Sequence, residues 1–140
     1  MIEPGSPPSR ASQSRPQTRV FQSLTISAVR TLVSRRAAAA GLDAGRAHDL
    51  ILAVCEIASN SVRHADGRGV LRIWQEGGDL VCEVADRGRP AHPLSGRDRP
   101  VPGEEGGYGL WIAERLCDRI QVLQRETGTA IRLHMRVEAT

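Results

Sequence analysis

The change of hydrophobic period along the chain constrains its fold more than any other feature. Leu50, Ile51, Val54, Ile57, Ala58, Ser61 and Val62 recur at helical spacing. From Val70 the period becomes two, over Val70 to Glu76 and again over Asp79 to Asp86, with Gly77-Gly78 between them as a hairpin signal. A pattern of one period does not settle into the other element. A helix followed by a hairpin is therefore dictated locally. Ser27 to Ala40 predicts a preceding helix with Val29, Leu32 and Val33 on one face and Gly41 as its stop, and Asp43 is a suitable N-cap for the next. Arg19 to Leu24 reads as a short strand. Gly107 to Asp118 predicts a third helix, and Arg119 to Glu126 with Thr129 to Val137 a second hairpin turning at Thr127-Gly128. The order β-α-α-β-β-loop-α-β-β implies an α+β two-layer sandwich, with a mixed, largely antiparallel sheet and helices on one face.

Two segments fall outside this pattern. Residues 1–17, rich in Pro, Ser, Gln and Arg, cannot bury enough apolar surface to fold and predict a disordered basic tail, leaving 18–140 as the folded domain. Residues 87–106 hold many Pro, Gly, Arg and acidic residues and are too long for an ordinary connection, which marks a lid or binding loop.

Composition removes several functions. All 19 positive side chains are arginine. A P-loop site, a eukaryotic-type protein kinase and a Schiff-base enzyme each need a lysine, so none is present in its usual form. Codon bias in a GC-rich genome accounts for such a composition. Aromatic residues make up only 3%, so the core must be aliphatic and base-stacking platforms are unsupported. The pI of about 9.2 is local in origin. Six arginines and no acid lie between Pro4 and Leu42, whereas from Asp43 onward 13 arginines meet 15 acids. Without a continuous basic stripe, no direct nucleic-acid partner is expected. Cys55, Cys82 and Cys117 are odd in number, widely spaced and set in apolar runs, which predicts small buried residues in a reduced compartment. No apolar run approaches the ~20 residues of a membrane span, and no apolar signal core opens the chain, so a cytoplasmic location without membrane attachment is expected.

Four clusters could carry chemistry. Glu56, Asn60 and His64 stand at i, i+4 and i+8 on the second helix, beside its apolar face. An Asn oxygen is a hard ligand suited to Mg²⁺ and a nearby Glu could deprotonate a hydroxyl, although the same stripe also fits a solvated polar edge. Asp86 is in phase with Leu80, Cys82 and Val84, which places an acid at the end of an inward-facing row, and Gly88 permits close backbone approach just after it. An Asp-Arg-Gly turn closing a strand is the alternative. Gly107-Tyr108-Gly109-Leu110, preceded by Gly106, leads glycine-rich backbone into a helix N-terminus, as a phosphate cradle does and as a flexible loop end also does. Thr129 is in phase with Ile131, Leu133 and Met135 and should face the helices, while Ala130, Arg132, His134 and Arg136 should face water. Each cluster is weak alone. Their order, spacing and shared face make a stronger joint signal.

Together, Glu56-x-x-x-Asn60 on a helix, Asp86-x-Gly88 after a strand and Gly107-x-Gly109-Leu110 opening a helix resemble the nucleotide-binding boxes of the GHKL ATPases. Within that superfamily, Ala53-Val-Cys-Glu56-Ile-Ala-Ser-Asn60-Ser-Val-Arg-His64-Ala65, Asp86-Arg-Gly88-Arg-Pro90 and Gly128-Thr129-Ala-Ile-Arg-Leu resemble the bacterial anti-sigma-factor serine/threonine kinases, in their actinobacterial form. The resemblance covers about residues 18 to 137 and implies the Bergerat fold. It further implies ATP and Mg²⁺ as ligands, with Asn60 on the metal. Asp86 would accept from the adenine amino group with help from Thr129, Gly88 would admit the base, and Gly107, Gly109 and Leu110 would meet the phosphates. Residues 87–106 would be the ATP lid, and Glu56 the general base acting on a partner's serine. The implied partners are a sigma factor and an anti-sigma antagonist protein, and dimerisation is suggested by the resemblance alone. The lid arginines Arg89, Arg97 and Arg99 could supply phosphate charge, whereas Glu104-Glu105 would oppose it. A non-catalytic regulatory binding module with a degenerate or structural ATP site is the competing expectation.

Overall fold

The computed structural model describes residues 2–4, 17–22, 25–64, 68–88 and 107–137. Its elements in chain order are β1 (Ile2–Pro4), β2 (Gln17–Gln22), α1 (Ile26–Ala40), α2 (Ala44–His64), β3 (Arg68–Glu76), β4 (Asp79–Asp86), α3 (Gly107–Leu116), β5 (Arg119–Arg125) and β6 (Gly128–Arg136). The helix boundaries follow from local chemistry. Gly41 ends α1 at φ 90, where a left-handed residue is needed, and the N–H groups of Gly41 and Leu42 reach the carbonyls of Ala38 and Ala37, both at 3.1 Å. Asp43 then starts α2, its Oδ1 accepting the Arg46 N–H at 2.9 Å. The first hairpin turns on Gly77 (φ 55) and Gly78 (φ 91), two consecutive positive φ values that define a type I′ turn. The second hairpin turns one residue earlier than the sequence suggests. Arg125 pairs with Gly128 across Glu126-Thr127, and Gly128 already belongs to β6.

The six strands are ordered β1-β5-β6-β4-β3-β2. All neighbours are antiparallel except β1 and β5, which are parallel. Ile2–Pro4, which composition assigns to the disordered tail, therefore lies on the sheet edge. Backbone pairing along an open edge requires no apolar content from the added segment, which composition cannot foresee. The remainder of the tail, residues 5–16, lies outside the described residues.

The helices cover one face. Val29, Val33 and Ala37 of α1, Leu50, Ala53, Val54, Ile57 and Ala58 of α2, and Leu110 and Ala113 of α3 pack with Leu71, Ile73, Leu80, Cys82, Val84, Ile120, Val122, Leu133 and Met135 of the sheet. This aliphatic core matches the alternation read from the strands. The three cysteines are buried, and burial pushes their thiols up, Cys82 to about 12. Thiolate is therefore scarce and the role is packing.

The opposite face corrects an expectation. Arg132 and His134 do not face water; they are 5% and 3% exposed. Arg132 stands directly across from Glu83, and its Nε donates to Glu83 Oε2 at 2.8 Å, with its guanidinium 5.5 Å from the Trp74 ring centroid. His134 Nε2 lies 2.8 Å from Gln121 Oε1. Burial, aided by Arg119, holds the His134 imidazole below its ordinary range, against the pull of Asp79 and Glu76. Long polar side chains on central strands can lie along the pleat and satisfy one another. Alternation fixes which face a residue occupies, not whether that face is wet.

A polar clasp ties the start of α2 to the far end of β6. Arg46 Nη2 donates to Asp118 Oδ2 and to the Arg136 carbonyl at 3.0 Å, and the Arg136 N–H reaches Asp118 Oδ2 at 2.7 Å. Partial burial raises the Asp118 pKa, but the bonds from Arg136 and Arg46 outweigh it and hold the carboxyl below its usual value. A depressed carboxylate pKa contributes stability above the unfolded value and loses it as pH falls through the folded one. Asp118→Asn should thus lower the thermal midpoint at neutral pH. The difference from wild type should shrink as pH falls through the folded-state pKa, below the ordinary carboxylate range. A gap that persists unchanged into acid would contradict this.

Candidate nucleotide site

The residues singled out from sequence gather at two places on the helix-covered face. The first is the crossing of α2 and α3. Glu56 and Asn60, one helical turn apart, are both half-buried there. Gly109 of α3 packs directly against them. A Cβ built on Gly109 would lie 2.3 Å from Asn60 Nδ2 and 3.5 Å from the Glu56 carbonyl oxygen. Glycine at this position therefore lets α3 approach the Asn60 amide. Leu110, next in α3, points into the core at 3% exposure, so any share it has in ligand contact would come through its backbone. Gly107 is the first residue of α3.

The second place is where β4 and β6 end. Asp86 pairs with Thr129 across the ladder. Asp86 Oδ1 accepts the Gly88 N–H at 2.8 Å, and the Thr129 hydroxyl donates to the Gly88 carbonyl at 2.9 Å. The turn after β4 is thus held from both sides by the two residues that the resemblance assigns to one ligand. A carboxylate accepts about four hydrogen bonds, so Asp86 can serve several partners at once. Both residues continue the strand phases that carry Val84 and Leu133 into the core. Because α2 packs on both β4 and β6, the two groups share one face.

The contacts of two positions escaped the sequence reading. Gly128, which resembles an ordinary turn glycine, has φ 145, and a Cβ there would sit 1.9 Å from the Asp86 carbonyl oxygen and 2.6 Å from Arg87 Cα. Its missing Cβ lets the backbone of Asp86 and Arg87 come this close, and no local sequence signal announces a contact made across the sheet. Arg63 is the other. Its Nη2 donates to Asn60 Oδ1, and the i, i+3 spacing on one helix was the available signal. A cavity of about 400 Å³ is lined by Arg68, Gly69, Val70, Ala85, Asp86, Arg87 and Thr127. Val70 and Ala85 are out of phase with the core residues Leu71 and Val84, so this cavity opens on the face away from α2, behind Asp86. The lid beyond Gly88, including Arg89, Arg97, Arg99, Glu104 and Glu105, lies outside the described residues.

A family model described as the histidine kinase-like ATPase domain matches residues 22–135, most of the chain and all of the elements that build both groups. The chain belongs to that family. In this chain Glu56, Asn60 and Gly109 meet in one region and Asp86, Gly88 and Thr129 in another of a single sheet-and-helix scaffold. No curated protein matches the chain. Among solved structures it is similar to the RsbU and RsbW domains of Rv1364c from Mycobacterium tuberculosis, with 21% identity and a TM-score of 0.66 over 91% of this chain. The match spans 34% of that longer chain, and at this identity it shows the fold. No helix among the described residues is long and apolar enough to cross a membrane.

The Gly109 packing has a measurable consequence. Gly109→Val should separate α3 from Asn60 and weaken nucleotide binding at least tenfold, a loss of about 1.4 kcal/mol. Gly45→Ala, at a glycine whose added Cβ meets only Asp43 Oδ1 at 3.5 Å, should leave it unchanged. Equal affinities in the two variants would show that the close approach is dispensable.

Proposed function

We propose that this domain binds Mg-ATP and transfers the γ-phosphate to a serine of an anti-sigma antagonist protein, and that it sequesters a sigma factor when that antagonist is absent. The observation that carries this reading is the junction of Glu56 and Asn60 with Gly109 at the α2–α3 crossing. It brings the turn of α2 that carries Glu56 and Asn60 against the first turn of α3. The donor types fit the group: an amide oxygen suits Mg²⁺, and backbone amides opening a helix suit phosphate. Asn60 would hold the cation, and Asp86 with Thr129 would hold the adenine. Gly88 would admit the base, and Gly107 and Gly109 would bring backbone amides to the phosphates. Mg-ATP supplies a phosphoryl group whose charge the cation neutralises. Glu56 would take the serine proton as the serine oxygen bonds to phosphorus and the bond to the ADP oxygen breaks, the role a general base plays in such transfer. This chemistry needs no lysine, in keeping with an arginine-only chain. The finer placement among anti-sigma kinases is supported by the motif resemblance around Glu56, Asp86 and Thr129.

A binding module without chemistry is the second reading, favoured by one observation: the oxygen of Asn60 is already engaged by Arg63. Calorimetry separates the two. Binding of both Mg-ATP and Mg-ADP at micromolar to sub-millimolar levels is expected. No heat with millimolar nucleotide would remove the kinase reading.

A further inference from the structure

We propose that Arg63 gates Asn60: its guanidinium holds the amide oxygen that a cation would use, so cation binding requires release of Arg63. The inference rests on the nucleotide reading above. Arg63 follows Asn60 by three residues on α2, and its Nη2 donates to Asn60 Oδ1. A guanidinium can only donate, so the atom facing it is the amide oxygen. Nδ2 is then the atom turned to Gly109, where the missing Cβ leaves the space it occupies. The amide is pinned on both sides. Rotating it to offer the oxygen elsewhere would set its NH₂ against the guanidinium, donor against donor. While Arg63 stays in place, the amide therefore cannot turn its oxygen to a cation elsewhere. That oxygen has two lone pairs, but a guanidinium and a divalent cation on one atom repel. Arg63 is exposed, so its release into water costs about the one charge-assisted hydrogen bond it gives up.

Arg63 thus acts as a built-in counter-cation. It keeps Asn60 docked against α3 without metal and raises the cation level at which nucleotide binds. The test is ADP binding measured by calorimetry at a series of Mg²⁺ concentrations, using the full chain. Arg63→Met should lower the Mg²⁺ concentration for half-maximal ADP binding about three- to tenfold, the scale of one charge-assisted hydrogen bond at a partly screened site. Arg63→Lys, which keeps the charge that repels the cation, should stay within about twofold of wild type. Arg63→Ala repeats the Met arm should Met perturb folding. An unchanged or increased Mg²⁺ requirement in the Met and Ala variants overturns the gate while leaving the nucleotide reading intact. If wild-type protein binds ADP without regard to Mg²⁺, or not at all, the metal role of Asn60 fails and the gate fails with it.

Discussion

Alanine at Glu56 is expected to cut serine phosphorylation by about 10²–10⁴-fold while leaving Mg-ADP affinity within about twofold of wild type. The reasoning starts from position. Glu56 lies one turn before Asn60 on α2, half-buried, and its backbone carbonyl already packs at Gly109. Truncating the side chain leaves that backbone contact in place, so Asn60 and α3 should remain where they are. What disappears is a carboxylate able to take a proton. Glu56→Gln separates the two roles such a residue can play. Glutamine keeps the shape and accepts hydrogen bonds but cannot serve as a base, so it should be as inactive as alanine. If glutamine restores transfer, Glu56 positions the serine and another group takes the proton. Transfer left intact by Glu56→Ala would refute any direct role. Following phosphate on serine of a candidate antagonist, alongside calorimetry with Mg-ADP, gives both readouts.

The second large effect is structural and lies on the other face of the sheet. Glu83→Ala should destabilise the domain by about 3–5 kcal/mol, because it removes the carboxylate opposite a buried guanidinium. The side chains of Arg132 and Glu83 are only 7% and 4% exposed. Water cannot readily replace the lost partner at that depth, so the cost far exceeds that of a surface pair. Replacing both residues, Glu83→Leu with Arg132→Met, should recover most of the loss, since apolar groups of similar volume often substitute for a buried pair. Urea denaturation of the two variants decides the matter. A single variant within about 1 kcal/mol of wild type would mean that the pair is solvated in solution.

These two predictions draw on different kinds of legibility. Glu56 was visible in the sequence because helical spacing is local: i and i+4 share a stripe whatever the rest of the chain does. Asp86 and Thr129 were visible because strand parity carried them inward with Leu80, Cys82, Ile131 and Leu133, and the ladder then paired them. The Glu83–Arg132 bridge was not visible. The alternation put Arg132 on the correct face, but burial there depends on what neighbouring strands contribute. His134 and Gln121 repeat the lesson. Gly128 shows it most sharply. Its turn position is readable from the chain, whereas its contact with Asp86 and Arg87 spans about 40 residues of sequence and exists only once β4 and β6 pair.

The sequence by itself determined the order of helices and hairpins, the aliphatic core, the exclusion of lysine-dependent chemistry and the inward phase of Asp86 and Thr129. Each depends on period, parity or composition, which are properties of neighbouring residues. Tertiary structure alone decided that Ile2–Pro4 joins the sheet edge, that the second face holds a buried polar row, that Gly109 admits Asn60, and that Gly128 admits the backbone of the turn after β4. Those are contacts between segments far apart in the chain. Their cost or benefit is set by distances that only folding brings below a few ångströms.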